Sequence, residues 1–175
     1  MLPKQIHSEI SIRTSPEKMW EVLSQYGDVS TFHAGVVESY KIAGSDEKAS
    51  LGCERVCNIV DMGLPITLKE RIVEYDEGRS YQYEVFEWKN FPIRKMVFGF
   101  TILGNTPTHT ILAIDIEYLA KPAILTPLMV WKMRRLARDV LLGYKHYTET
   151  GEKRVSIKTL RSQYRSNEGI EAQYS

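Results

Sequence analysis

The feature that most limits how this chain can fold is a change of hydrophobic period near residue 126. Upstream, five segments at about 51–60, 65–75, 80–88, 94–104 and 108–119 read as strands separated by short turn signals. The breaks at Met62-Gly63, Asp76-Glu77-Gly78, Lys89-Asn90-Phe91-Pro92 and Gly104-Asn105-Thr106-Pro107 each contain Gly, Asn, Asp or Pro, which turn geometry favours. Strands joined by links this short pair antiparallel with their neighbours. Downstream, Met129, Met133, Leu136, Ala137, Val140, Leu141 and Tyr144 lie on one helical stripe, with Lys132, Arg134, Arg135, Arg138 and Asp139 on the other faces. One long amphipathic helix ending near Thr150-Gly151 must bury that stripe against the preceding sheet.

Ahead of these strands, Ile6, Ile10 and Ile12 alternate with polar residues as in a half-buried strand. Thr14-Ser15-Pro16-Glu17 then combines a capping hydroxyl, a proline suited to the first helical position and an acid in the first turn. Met19, Trp20, Leu23 and Tyr26 follow at steps of three or four, Gly27-Asp28 breaks the helix, and a second short helix is expected over 28–33. Strand character returns over 36–43 and closes at Gly44-Ser45-Asp46. The pattern predicts an α+β domain: an antiparallel sheet of about seven strands, two short helices after the first strand, and a long C-terminal helix.

At 175 residues and 43 % apolar composition the chain fills one core and is too short for two. Residues 1–150 are read as one domain and 151–175, polar and charged, as a flexible tail. Within the tail Ile157, Leu160 and Tyr164 stand at helical spacing among Lys158, Arg161 and Arg165, a weak basic helix suited to a protein partner. Lysine and arginine total 23 against 22 acids, a formal charge of +1, so no global field gathers nucleic acid or an anionic membrane. No charged leader followed by an apolar core opens the sequence, and no run of about 18 apolar residues occurs. A cytoplasmic protein without a membrane span is expected. Cys53 and Cys57 share one strand face about 13 Å apart, beyond disulfide reach, and read as buried thiols. His7, His33, His109 and His146 are dispersed, and no phosphate loop or dinucleotide fingerprint is present, so neither metal nor cofactor is expected.

The most informative polar residues are those that alternation places on an apolar face. Ile66, Leu68, Glu70 and Ile72 share one face of their strand, and Cys53, Arg55, Cys57 and Ile59 share one face of the preceding strand. A two-residue turn at Met62-Gly63 sets Arg55 opposite Glu70, with Cβ atoms about 4.5–5.5 Å apart, close enough for an ion pair. The two charges either neutralise each other, as buried charges must, or hold the polar end of a ligand and tune Glu70 as an acid or base. His33, Tyr81, Tyr83, Phe98, Tyr118, Met129 and Met133, with Trp20, are further candidates to line a pocket, against the alternative that they are ordinary core.

Several motifs go further than topology. Ser15-Pro16-Glu17-Lys18-Met19-Trp20-Glu21-Val22-Leu23 with Phe32-His33, then Gly52-Cys53-Glu54-Arg55, Leu68-Lys69-Glu70-Arg71-Ile72, Tyr75-Asp76-Glu77 and Tyr81-Gln82-Tyr83, lie between residues 15 and 83, within a match that covers roughly residues 5 to 148. Together they resemble the START/birch-pollen-allergen-like (SRPBCC) superfamily, in its polyketide cyclase/dehydrase branch. The resemblance implies a helix-grip fold, in which a curved sheet wraps the long helix around a pocket for a small apolar molecule. It also implies that Arg55 and Glu70 face the pocket, and Gly63-Leu64-Pro65 is similar to the pocket-mouth gate of hormone-receptor members.

Three functions are consistent with this reading. The first is binding of a lipid, quinone or polyketide-like molecule, oriented by Arg55, Glu70 and the tyrosines, which calls for a cavity of about 300–1,000 Å³ open beside the Gly63 loop. The second is a cyclase or dehydratase, which calls in addition for an unpaired Glu70 or His33 in that cavity. The third is a protein-interaction module, with a filled core and an exposed apolar patch on the helix or tail.

Overall fold

The structure, a computed structural model, describes residues 2–33, 35–43, 48–61 and 63–171. The turn expected at Gly44-Ser45-Asp46, the turn residue Met62 and the last four residues of the tail lie outside these. Seven strands, β1 (Lys4–Ile12), β2 (Val36–Ala43), β3 (Glu54–Asp61), β4 (Leu64–Asp76), β5 (Ser80–Lys89), β6 (Ile93–Thr106) and β7 (His109–Ala120), form one sheet in the order β1-β7-β6-β5-β4-β3-β2. Every neighbouring pair is antiparallel. The helices are α1 (Pro16–Leu23), α2 (Val130–Thr150) and α3 (Ile157–Glu171). The curved sheet and the long α2 against it form the helix-grip fold.

α1 begins as its sequence dictates: the Ser15 Oγ accepts the Lys18 N–H at 3.3 Å, and Met19, Val22 and Leu23 are buried. The second short helix is a 3₁₀ segment over Tyr26–Thr31, kinked at Asp28. It is tied to β2 by Ser39, whose hydroxyl donates to the Gly27 carbonyl at 2.8 Å and accepts the Ser30 N–H at 2.9 Å. β3 starts at Glu54 and not at 51, because Gly52 takes a left-handed φ of 80°.

α2 buries the predicted stripe of Met133, Ala137, Val140, Leu141 and Tyr144 against the sheet. Gly143 sits where the helix backbone rides on the 3₁₀ segment: a Cβ there would lie 2.2 Å from the Phe32 carbonyl oxygen. The segment expected as a flexible tail differs from the expectation, since 157–171 is helical. Leu160 and Tyr164 bury against Leu142 of α2, with Ile10, Val155 and Ile157 around them. Arg161 Nε donates to Asp139 Oδ1 at 2.8 Å, and His146 Nδ1 lies 3.2 Å from the Tyr164 hydroxyl. Little apolar surface suffices here because the outer face of α2 supplies the complementary half of the contact.

Candidate functional site

β3 and β4 pair with Arg55 directly opposite Glu70, the register that alternation and a two-residue link require. Both side chains are buried, 3 % and 4 % exposed. Arg55 Nε donates to Glu70 Oε2 at 2.5 Å, and its Nη1 donates to the Tyr26 carbonyl at 2.8 Å. The guanidinium carbon lies 4.0 Å from the Tyr26 ring centre and 4.7 Å from that of Tyr83, so two π faces flank the cation. The Cys57 thiol donates to the same Glu70 Oε2 at 3.5 Å. The bonds to Glu70 and to the Tyr26 carbonyl use two of the five guanidinium N–H groups, and the buried Tyr26 hydroxyl beside the pair has no hydrogen-bond partner among the described residues.

Burial disfavours every charged form here. It works against the charge of Arg55, but the adjacent Glu70 outweighs it and holds the guanidinium protonated. Burial, reinforced by Glu70, pushes the Cys57 thiol up, so it stays protonated and is no nucleophile. Burial and the nearby Arg55 push the His33 imidazole down to about 4. The Gly35 N–H donates to His33 Nδ1 at 3.0 Å, so the neutral ring carries its proton on Nε2. At neutral pH the site is polar and carries no net charge.

Arg55, Cys57, Glu70 and His33 border a cavity of about 190 Å³ between the sheet and α2, otherwise walled by apolar side chains such as Leu68, Met96, Phe98, Met133, Leu136 and Val140. This is smaller than the expected range of about 300–1,000 Å³. The reason is a cluster of Tyr26, Tyr81, Tyr83, Phe98, Phe100 and Tyr144, whose neighbouring ring centres are 5.1–6.3 Å apart and which fills part of the interior. Gly35, Val60, Asp61 and Lys132 line the cavity and are exposed or half-exposed, which marks its rim. There the Lys132 ammonium pairs with the Asp61 carboxylate and links α2 to the end of β3.

Of the residues singled out in the sequence, His33, Arg55, Glu70, Tyr83, Phe98 and Met133 come together on the cavity wall. Tyr81, Tyr118 and Met129 do not. The Tyr81 hydroxyl donates to the Leu23 carbonyl at 3.1 Å inside the aromatic cluster. That of Tyr118 donates to the Thr126 carbonyl at 2.9 Å and pins the turn that leads into α2. Met129 is half-buried at the start of α2, and Trp20 packs on Tyr75 and Tyr81. Gly63 belongs to the turn, and Leu64 and Pro65 open β4 opposite Asp61 and Val60: Val60 and Asp61 line the cavity, whereas Leu64 is 61 % exposed. Sequence reasoning passed over the wall residues Cys57, Leu136 and Val140, all on faces already identified as inward. It gave no sign of the stacking of Tyr26 on Arg55, which depends on how the 3₁₀ segment folds back.

Among the described residues no cluster of three or more His, Cys, Asp and Glu could hold a metal ion, and no helix is long and apolar enough to cross a membrane. Among curated proteins none matches the sequence. The structure is similar to that of Zhui aromatase/cyclase from a Streptomyces species, 12 % identical over 85 % of this chain and 98 % of that one, with a TM-score of 0.66. It is similar to Ara h 8.0201, 14 % identical over 83 % and 97 %, with a TM-score of 0.67. A START superfamily protein from Mycobacterium smegmatis, 14 % identical over 78 % and 94 %, has a TM-score of 0.62. At these identities the likeness is one of fold. Residues 3–149 match the family model described as polyketide cyclase / dehydrase and lipid transport, so the chain belongs to that family, within the SRPBCC superfamily.

Proposed function

We propose that the chain binds an uncharged molecule of one or two rings in the cavity between sheet and α2, its polar end against Arg55 and Glu70. The observation that carries this reading is the buried ion pair on the cavity wall, whose guanidinium keeps N–H groups beyond the two given to Glu70 and the Tyr26 carbonyl and whose carboxylate accepts from both Arg55 and Cys57 on Oε2. A buried pair already neutral in sum favours a neutral partner that both accepts and donates, such as a hydroxyl, over a carboxylate or an amine. Size points the same way. An apolar cavity of about 150 Å³ holds one benzene ring, so about 190 Å³ suits a compact ring compound better than an acyl chain. The aromatic and methionine walls supply affinity by apolar burial.

The test is a comparison of naphthol, naphthalene and naphthoate by calorimetry and thermal shift. Naphthol is expected to bind best, naphthalene about 1 kcal/mol more weakly for want of the hydroxyl, and the anion more weakly still. Equal binding of all three, or preference for naphthoate, would overturn the reading. Native mass spectrometry of freshly purified protein, with solvent extraction, would show which ring compound it carries.

A second reading, proton transfer on a bound ring compound, is favoured by His33, which is neutral, borders the cavity and is held through Nδ1. It predicts that His33→Gln retains naphthol binding and co-purifies with a compound that the parent protein converts and releases. An identical extract from both proteins would count against it.

A further inference from the structure

The overall charge of +1 conceals an uneven distribution. Residues 118–138 contain Lys121, Lys132, Arg134, Arg135 and Arg138 and no acid. The same stretch holds large apolar side chains turned away from the core: Ile124, Leu128 and Trp131 are 72 %, 68 % and 65 % exposed, and Leu125 is 36 % exposed. They lie on two short 3₁₀ turns, Ala123–Leu125 and Pro127–Met129, and the first turn of α2. Ile124, Leu128, Trp131 and the cation Arg135 are all exposed within this one short stretch. The inward side is already occupied by buried Thr126 and Met133, with Met129 and Val130 half-buried. Core packing therefore gives no reason for Ile124, Leu128 and Trp131 to be apolar.

We infer that this end of the molecule docks on an anionic membrane surface. Ile124, Leu128 and Trp131 enter the headgroup boundary, and the exposed Lys121, Arg134 and Arg135 meet lipid phosphates. An apolar tip with a tryptophan, collared by cations, is the composition of interfacial segments. Charge complementarity separates a membrane from a protein partner. A protein surface offers charges of both signs, whereas the exposed Lys121, Arg134 and Arg135, with the Asp61 carboxylate already taken up by Lys132, match a continuous sheet of negative charge. Docking of this kind needs nothing in the cavity.

The test is co-sedimentation of the full chain with vesicles of phosphatidylcholine alone and of phosphatidylcholine with phosphatidylserine, at low and high salt. Binding is expected only to the anionic vesicles, falling with salt, with a blue shift of tryptophan emission that is lost in Trp131→Phe. Arg134→Gln/Arg135→Gln is expected to weaken partition about fivefold per charge removed. Leu128→Ser/Trp131→Ser is expected to weaken it about tenfold or more, through lost apolar burial. All these residues are exposed, so melting temperatures should match that of the parent, and the charge variant is a second route should the apolar variant unfold. Absence of binding to anionic vesicles would overturn the inference. So would binding that the two variants leave intact, or concentration-dependent self-association through this face that anionic vesicles do not compete away.

Discussion

Arg55 and Glu70 are neutral together, and each alone is a buried charge. Breaking a buried pair by removing one partner costs about 3–5 kcal/mol, whereas replacing both with apolar side chains of similar volume is often close to neutral. Urea unfolding is therefore expected to show large losses for Arg55→Met and Glu70→Leu and recovery of most of the loss in the double variant, which folds but no longer prefers naphthol to naphthalene. Single variants within about 1 kcal/mol of the parent would mean that water, and not the partner, neutralises the charges. His33 adds a dependence on pH. Its imidazole moves from 6.5 in an unfolded chain to about 4 in the fold, so between those values the unfolded chain binds a proton that the folded one does not. That contribution is complete above about 6.5 and is lost as the pH falls toward 4. The melting temperature of the parent should drop more steeply over this interval than that of His33→Gln; parallel curves would exclude the imidazole as the cause. The ion pair was legible in the sequence because a charge on the inward face of an alternating strand must find a partner there. The roles of Tyr81 and Tyr118 were not, because an inward tyrosine looks the same whether its hydroxyl meets a ligand or, as here, a backbone carbonyl.

Among the elements, β3 to β7 and α2 were legible because period, turn residues and the pairing register agree with one another. The second short helix was legible too, but its 3₁₀ form and its start at Tyr26 were not, since Ser39 on a strand that follows it ties it down. Gly143 was also opaque: only the packed structure shows the Phe32 carbonyl against its Cα. In an isolated helix Gly143→Ala would be stabilising by about 1 kcal/mol. Here the new methyl would strike backbone, and forcing a packed contact apart typically costs about 1–3 kcal/mol. A lower melting temperature is expected, and an unchanged or raised one would mean that the 3₁₀ segment moves aside freely.

The interior volume belongs to the whole molecule, which is why the cavity fell short of its expected size: no local pattern reveals how many rings meet at the centre. The docking of α3 is a property of the same scale, since half of its contact surface is on α2. Because that contact rests on Leu160, Tyr164 and Arg161, Leu160→Ala/Arg161→Ala is expected to release α3 and leave the domain folded. Hydrogen exchange should rise sharply over 157–164 while the central strands stay protected; loss of protection everywhere would make α3 part of the main folding unit. The Lys132–Asp61 link at the rim bears on time and not on affinity. A half-exposed ion pair contributes about 0–1 kcal/mol at equilibrium, yet this one lies at the rim of the cavity, where the proposed guest would enter and leave. Lys132→Met is expected to quicken capture and shorten residence together, as stopped-flow mixing with naphthol would show, so that the cavity wall sets how tightly a guest is held and the rim sets how long it stays.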